Sequence, residues 1–299
     1  MLLDGRVAVV TGSGRGIGRA FAIALAEQGA KVVVNDVGAA LDGRGTEDDP
    51  AHQVCKEIEA LGGEAVPSYD SVSDFEGAGR IIGTAVDAFG QIDILVNNAG
   101  IVRDRTLLKM GEDDFDAVVA VHLKGTFNCT RHAAPLMKEA GYGRIINVTS
   151  QAGLRGNFGQ TNYGAAKAGI MGMTFVWALE LGRYGITVNA MSPMGATRMT
   201  QGLYERAGTA PPPEHEPALN APIVVFLASE QAHYVNGQIV GRTDYAFTLY
   251  QTPRQIASMW RDGGWTPELV AEQFHNVLGQ HLQPVGMPMP PELAKDKTG

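Results

Sequence analysis

The hydrophobic residues of this chain fall into short, nearly unbroken runs, separated by longer segments with helical periodicity. Short aliphatic runs without polar interruptions are typical of strands that are buried on both faces of a parallel sheet. On this basis we predict about seven strands, at residues 7–10, 31–36, 64–69, 92–96, 144–148, 185–191 and 238–240. Apolar residues at helical spacing predict helices at 19–26, 52–61, 74–89, 113–139, 161–182 and 221–229.

The alternation of strands and helices predicts an α/β fold, a single-domain Rossmann-type doubly wound parallel sheet with helices on both faces. In such sheets, ligands bind at the carboxyl ends of the strands. We assign residues 1–282 to this domain and 198–217 to a substrate lid, because the latter segment has three consecutive prolines and little periodicity. Two Thr-Pro pairs, Thr252-Pro253 and Thr266-Pro267, predict helix starts, and 283–299 should form a loose tail.

Composition narrows the possible function classes. Hydrophobic residues make up 44% of the 299 positions and charged residues 19%, as in ordinary globular proteins. The net charge of −8 and the lack of a Lys/Arg block argue against nucleic-acid binding. Cys55 and Cys129 are too few and too far apart to predict a disulfide framework or a metal site. Because no signal peptide or membrane-spanning apolar run is visible, we expect a soluble, cytoplasmic protein.

A glycine-rich segment follows the first predicted strand directly and leads into the first predicted helix. Glycines at this junction allow a tight turn and let a phosphate approach the helix N-terminus. The absence of a following Lys-Ser/Thr disfavours a nucleoside-triphosphate loop. A plain tight turn is the simpler alternative, but the strand–turn–helix context favours dinucleotide binding. The predicted cofactor-binding residues here are Gly12, Ser13, Arg15, Gly16, Ile17 and Gly18.

The second predicted strand ends in Asp36, which lies 18 residues beyond Gly18. An acid at about this distance, roughly 20 residues, binds the ribose 2′-hydroxyl in dinucleotide-binding folds. A carboxylate there would repel a 2′-phosphate, so we predict NAD as the cofactor. Arg15 acts in the opposite sense, because a cation in the glycine turn could favour a 2′-phosphate. For Asp36, the alternative to ribose binding is a carboxylate that is simply solvated at the strand end.

Polar residues also follow the third and fourth predicted strands. Asp70 and Ser71 could border the adenine, although a solvated turn is as consistent with their residue types. Asn98, Ala99 and Gly100 close the next strand beside the expected cofactor crevice. Asparagine at a strand end often only forms a turn, so position alone makes these residues candidates for cofactor binding.

Three residues near the fifth predicted strand carry candidate acid–base chemistry. Tyr163 and Lys167 lie four residues apart on one predicted helix, so their side chains share a face. A nearby cation lowers the pKa of a phenol from about 10 by roughly 1–3 units, which would make Tyr163 a usable proton carrier. Ser150, at the strand end, could hold a substrate oxygen beside that phenol. A Tyr-x-x-x-Lys pair alone is usually an ordinary pair of helix-surface neighbours.

Four ordered motifs resemble the short-chain dehydrogenase/reductase family over residues 1 to about 245: Thr11-Gly12-x-x-x-Gly16-x-Gly18, Asn97-Asn98-Ala99-Gly100, Ser150 and Tyr163-x-x-x-Lys167. The resemblance implies that Tyr163 is the acid/base, that Lys167 lowers its pKa and binds ribose, and that Ser150 bonds the substrate oxygen. It implies further cofactor contacts on the adenosine side from Asp36, Asp70 and Asn98. The turn containing Pro193, Gly195 and Thr197 should lie over the nicotinamide.

His122 separates this chain from most of that family, which has asparagine at its position to order a proton-relay water. A lone histidine among apolar neighbours is also often a satisfied core residue. Segments around His122, Asp70 and Asn157 are similar to the (3R)-hydroxyacyl-CoA dehydrogenase branch, found in peroxisomal multifunctional enzyme type 2, which has histidine there as well. We therefore include His122 among the predicted catalytic residues.

This narrower resemblance implies an NAD-dependent enzyme that interconverts 3-hydroxyacyl-CoA and 3-oxoacyl-CoA. A 17β-hydroxysteroid or another bulky secondary alcohol is the alternative substrate, and a non-catalytic NAD-binding sensor is the alternative of another class. The family resemblance also implies a homodimer or homotetramer, assembled through the 113–139 and 161–182 helices.

Overall fold

A single sheet of eight strands organises the chain in this computed structural model, which describes residues 1–45, 49–198, 200, 204–205 and 208–286. The strands are β1 (Val7–Thr11), β2 (Lys31–Asn35), β3 (Ala65–Ser68), β4 (Ile94–Asn97), β5 (Gly143–Val148), β6 (Ile186–Ser192), β7 (Ile239–Thr243) and β8 (Ala246–Tyr250). Their order in the sheet is β3-β2-β1-β4-β5-β6-β7-β8. β1 to β7 are parallel, and β8 pairs antiparallel with β7. The predicted fold class is confirmed.

Helices connect the parallel strands across the sheet. In the part of the chain that the structure describes they are α1 (Gly16–Glu27), α2 (Pro50–Ala60), α3 (Phe75–Phe89), α4 (Glu112–Val119), α5 (Gly125–Ala140), α6 (Gln151–Arg155), α7 (Thr161–Leu181), α8 (Ala221–Ala228) and α9 (Pro267–Gln273). A turn of π-helix at Ala120–Lys124 joins α4 to α5, so the long helix predicted near 113–139 is continuous but wider in the middle. None of the described helices is both long enough and apolar enough to span a membrane.

Two hydrophobic cores cover the two faces of the sheet because alternate strand residues point to opposite sides. In β1, Ala8 and Val10 pack into the core formed with α1, α2 and α8, whereas Val7 and Val9 pack into the core with α3, α5 and α7. The unbroken apolar runs in the sequence reflect this burial on both faces.

The sheet order reverses direction between β1 and β4, because the chain first builds β2 and β3 on one side and then β4 to β7 on the other. The carboxyl ends of β1 and β4 therefore border a crevice, where open α/β sheets bind their ligands. The predicted glycine turn follows β1, and Asn98 follows β4.

Three local predictions were wrong. An eighth strand follows β7, and its residues lie largely exposed at the sheet edge, so burial left little pattern there. The helix predicted to start at Thr252-Pro253 is absent, since that segment buries almost no side chain against which a helix could pack. Short helix α6 occupies the stretch after Ser150, which lies outside the predicted helices. The helix start at Thr266 is confirmed, with its side chain accepting from Leu269 N.

The predicted domain limits stay a prediction. Part of the lid assigned to 198–217 and most of the tail assigned to 283–299 lie outside the described residues.

Candidate active site

The turn between β1 and α1 needs glycine for two separate reasons. Gly12 and Gly16 have φ angles of +62° and +55°, in the left-handed region that side chains disfavour. At Gly18 there is no room, because an added Cβ would lie 2.2 Å from the carbonyl oxygen of Gly12 and 2.4 Å from Asn98 Nδ2. The backbone is thereby exposed at the start of α1, where it can approach a dinucleotide pyrophosphate.

Polar side chains from two strand ends brace this turn. Asn98 Nδ2 donates to the carbonyls of Thr11 and Gly12, at 2.9 Å each. The Thr11 hydroxyl accepts from the backbone N–H groups of Asn98 and Ala99, and the Ser13 hydroxyl donates to the carbonyl of Val10. The amide of Asn98, a predicted cofactor ligand, is thus used to hold the turn in shape.

Asp36 lies at the end of β2 against the same turn. Its Oδ2 accepts from Gly14 N at 3.0 Å and its Oδ1 accepts from Gly38 N at 2.9 Å. An added Cβ at Gly14 would lie 2.9 Å from this carboxylate. The structure therefore brings Asp36 and the glycine turn together, with a fixed negative charge where an adenosine ribose would bind.

Asp70 and Ser71 make their side-chain contacts elsewhere. The carboxylate of Asp70 pairs with Arg80 on α3, with Nη2 and Oδ1 2.7 Å apart. The hydroxyl of Ser71 bonds that of Ser73 at 2.9 Å. Both side chains bond within the β3–α3 region, and neither bonds a residue of the glycine turn.

Ser150, Tyr163 and Lys167 come together beyond the end of β5. Ser150 caps α6, with its hydroxyl accepting from Ala152 N at 3.2 Å, and it lies near enough to the phenol of Tyr163 to lower its pKa. Lys167, one turn along α7 from Tyr163, is 3% exposed. Its Nζ lies 5.5 Å from the centroid of the Tyr163 ring and donates to the carbonyl of Val148 at 2.6 Å.

The electrostatics of this group differ from the sequence-based prediction. Burial raises the pKa of Tyr163, and the charge of Asp104 adds to that, while the hydrogen bond from Ser150 lowers it. We expected Lys167 to lower the pKa of the Tyr163 phenol. Desolvation of the phenol has the largest effect instead, and it raises this pKa. Lys167 is itself desolvated, because burial lowers the pKa of its amine to about 7. Near neutral pH this amine is therefore close to half protonated.

The side chain of His122 projects from the π-helical turn toward Tyr163. Its ring meets the Tyr163 ring edge-on, with centroids 5.1 Å apart. Nε2 lies 2.8 Å from the carbonyl oxygen and 3.1 Å from the backbone N of Ile101, so its role as donor or acceptor depends on the tautomer, and buried Nδ1 has no partner among the described residues. Burial, assisted by the charge of Lys167, lowers the pKa of His122 to about 3, so the imidazole is neutral. An added Cβ at Gly100 would lie 2.2 Å from this ring, which explains the small residue there.

The segment after β6 forms the opposite wall of the crevice. An added Cβ at Gly16 would lie 3.4 Å from Thr197 Cγ2, so the turn of residues 193–197 faces the glycine turn. Pro193 and Gly195, also predicted to bind cofactor, lie half-buried in this turn.

Four side chains near the site were missed by the sequence-based reasoning. Asn220 and Arg242 bond the backbone of Met194, and Gln151 Nε2 donates to the hydroxyl of Tyr250. The signal available for Arg242 was a charged residue two positions beyond the last predicted strand, 238–240. No comparable signal marked the other three.

Comparisons with known proteins show which proteins this chain is similar to. The family model described as short chain dehydrogenase matches residues 6–207. Peroxisomal multifunctional enzyme type 2 of Drosophila melanogaster is 47% identical over 247 residues, which cover 83% of this chain and 40% of the fly protein. The chain therefore spans well under half the length of that relative.

Two further relatives match almost end to end. Hydroxyacyl-CoA dehydrogenase ChsB1 of Mycobacterium tuberculosis is 42% identical over 290 residues, covering 90% of this chain and 87% of the relative. The crystal structure of a short chain dehydrogenase from Mycobacterium avium has a TM-score of 0.85 and 43% identity, covering 96% of this chain and 99% of that chain.

Proposed function

Since this chain belongs to the short-chain dehydrogenase family, and is thus an oxidoreductase of CH–OH groups that uses a nicotinamide cofactor, we propose that it oxidises 3-hydroxyacyl-CoA to 3-oxoacyl-CoA with NAD. The observation that carries the chemistry is the convergence of Ser150, Tyr163 and Lys167 beside the crevice of the glycine turn. The proposed substrate class rests on the relative from Mycobacterium tuberculosis, which is named a hydroxyacyl-CoA dehydrogenase and matches most of its length.

The choice of NAD over NADP rests on Asp36. Its carboxylate is fixed by the N–H groups of Gly14 and Gly38, so it cannot easily turn away from a ligand. The remaining lone pairs can accept from the ribose hydroxyls of NAD. A 2′-phosphate at this place would be repelled by the negative charge of Asp36, which makes the binding of NADP less favourable.

The proposed roles of the catalytic side chains follow from their positions. When bound, the nicotinamide supplies the acceptor for the hydride that leaves the carbinol carbon. Tyr163 takes the proton of the substrate hydroxyl, while Ser150 hydrogen-bonds the same oxygen. As the phenolate forms, its negative charge favours the protonated form of Lys167, which in turn stabilises the phenolate. Neutral His122 places its unpartnered Nδ1 in the same buried site as Tyr163, where it can hydrogen-bond a water beside the phenol.

The raised pKa of Tyr163 has a consequence for the direction of the reaction. A protonated phenol can donate a proton to a carbonyl oxygen at neutral pH, whereas oxidation of an alcohol needs the phenolate. We therefore expect the oxidation rate to increase with pH above neutrality. The reduction rate should stay constant near neutral pH or decrease as the pH increases.

A substrate panel tests the proposal. The purified protein is assayed for NADH formation with 3-hydroxyacyl-CoA esters and with 17β-hydroxysteroids, and each reaction is repeated with NADP. We expect turnover with the CoA esters and NAD. Turnover with steroids alone would refute the substrate class, and equal rates with NADP would refute the role of Asp36. NADH binding without turnover on any secondary alcohol would instead favour a sensor.

Assembly is a separate proposal. Exposed apolar side chains lie on α4, α5 and α7, the helices that we predict to form the subunit interface: Phe115, Phe127, Leu136, Val176 and Leu179. We propose a homodimer or homotetramer through these helices. Light scattering after size-exclusion chromatography should give a multiple of the protomer mass of 31.7 kDa, and a monomer would refute the proposal. A cytoplasmic location stays a prediction from the sequence.

A further inference from the structure

The side chain of Arg242 joins four separate segments behind the cofactor crevice. Arg242 lies in β7 and is 2% exposed. Its Nε donates to Asn220 Oδ1 at 2.9 Å, and Nη1 donates to the carbonyl of Glu214 at 2.7 Å and to that of Asp244. Its Nη2 donates to the carbonyl of Met194. The guanidinium thus donates to four oxygen acceptors, three of which belong to residues at least 22 positions away in the sequence.

Asn220 completes the arrangement from the start of α8. It is fully buried, and its Oδ1 accepts from Met194 N at 3.1 Å. Its Nδ2 donates to the carbonyl of Met194 at 2.8 Å and to that of Pro217 at 2.9 Å. The N–H and C=O of Met194 are therefore both bound, and the carbonyl accepts from Asn220 and Arg242 together.

Met194 belongs to the turn of residues 193–197, which faces the glycine turn across the crevice. An added Cβ at Gly195 would lie 3.6 Å from Asn220 Nδ2, so this turn rests directly on the bonded pair. Burying a guanidinium is costly unless its donors are satisfied in good geometry. Charge-assisted bonds to fixed carbonyls also constrain direction more than apolar packing would. The arrangement is therefore suited to fixing the path of the backbone at Met194.

We propose that Arg242 and Asn220 are positioning residues, which hold the 193–197 turn in the conformation that receives the nicotinamide half of the cofactor. This inference rests on the proposed function, because it assumes that the crevice binds NAD(H). It adds a residue pair from β7 and α8 that acts through Met194 without touching the reacting atoms.

Direct binding of NADH tests the inference without turnover. Arg242→Lys keeps the positive charge but cannot reach all four acceptors, and Asn220→Ala removes both contacts to Met194. We expect each variant to bind NADH about tenfold more weakly or worse, because a displaced turn loses much of its contact geometry. Fluorescence titration of NADH gives the dissociation constant, and steady-state kinetics should show a raised cofactor KM with kcat changed by only a few-fold at saturation.

Arg144 offers a matched control, because it lies near the beginning of β5 whereas Arg242 lies near the end of β7. It is 4% exposed in β5, and its guanidinium donates to the carbonyls of Ser229, Gly143 and Gly185. Arg144→Lys should lower the Tm by an amount similar to Arg242→Lys but leave NADH affinity within about twofold, since its acceptors are remote from the crevice. The inference is overturned if Arg242→Lys binds NADH as well as the wild type, or if Arg144→Lys weakens binding as much.

Failure of this inference is distinguishable from failure of the proposed function. If the wild-type protein does not bind NADH, the proposed cofactor is wrong. If the wild type binds NADH and oxidises 3-hydroxyacyl-CoA while Arg242→Lys binds NADH normally, only the positioning role is wrong.

Discussion

Replacement of Lys167 by methionine should stabilise the folded protein near pH 6.5 while abolishing turnover. Burial lowers the pKa of this amine from 10.5 to about 7. At about 1.4 kcal/mol for each pH unit, the buried charge costs roughly 5 kcal/mol below pH 7. Methionine removes that cost but leaves the carbonyl of Val148 without its donor, a loss of about 1.5–3 kcal/mol. The expected net gain is therefore roughly 2–3 kcal/mol.

The sign of this effect depends on pH. Between pH 7 and 10.5, folded Lys167 loses its proton while the unfolded chain keeps it, so the wild-type protein becomes more stable as pH increases. Above pH 10.5 the amine is neutral in both states, and only the hydrogen bond to Val148 remains. The advantage of Lys167→Met should therefore shrink steadily from pH 7 upward and reverse by about 1 kcal/mol near pH 10.5.

Urea unfolding followed by circular dichroism at pH 6.5, 8 and 9.5 measures this difference at a fixed protein concentration. Lys109→Met, at an exposed lysine, is the control and should change the free energy of unfolding by less than about 0.5 kcal/mol at each pH. A Lys167→Met variant that is destabilised by the same amount at every pH would refute the reasoning. It would show that burying the protonated amine of Lys167 has no free-energy cost in the folded protein.

Three further predictions concern other residues of the site. His122→Asn should make the fold less sensitive to acid, because folded His122 has a pKa of about 3 against 6.5 in the unfolded chain. The free energy of unfolding of the wild type should therefore decrease by up to about 1.4 kcal/mol per pH unit between pH 6.5 and 3. Urea unfolding that shows the same decrease with pH in both proteins would contradict this. Gly18→Ala should abolish NADH binding in a fluorescence titration, because its Cβ would lie 2.2 Å from a carbonyl, whereas Gly83→Ala, with open space in α3, should bind normally and gain up to about 1 kcal/mol. Asp36→Ala should reduce the kcat/KM preference for NAD over NADP by roughly tenfold or more, and an unchanged ratio would rule out its proposed ribose contact.

The sequence predicted those parts of the fold whose residues are buried on both sides or constrained by backbone geometry. Val7–Val10 and the following glycines gave clear signals, because strand burial and the absence of space for a Cβ restrict residue type directly. Asp36 was identified by its distance along the chain, and the structure places it against the glycine turn. These features depend on neighbours close in sequence or on one repeated structural unit.

The remaining features depend on contacts between distant segments. Arg242 and Asn220 meet Met194 across 48 and 26 residues of chain, and nothing in the local pattern of either residue specifies that meeting. Strand β8 has an exposed face, so its residues lack the burial that makes strands recognisable. The pKa of Tyr163 could not be predicted from its spacing to Lys167, because desolvation and the direction of the amine toward Val148 outweigh proximity.

The central claim is that Tyr163 exchanges the proton of the reacting oxygen. The most direct test compares wild type and Tyr163→Phe in oxidation of 3-hydroxyacyl-CoA across pH 6–10, with NADH affinity measured in parallel. We predict that the wild-type rate increases with pH, and that the variant loses about 10²–10⁴-fold in kcat while NADH affinity is retained. A Tyr163→Phe variant with wild-type kcat and the same pH profile would contradict the account.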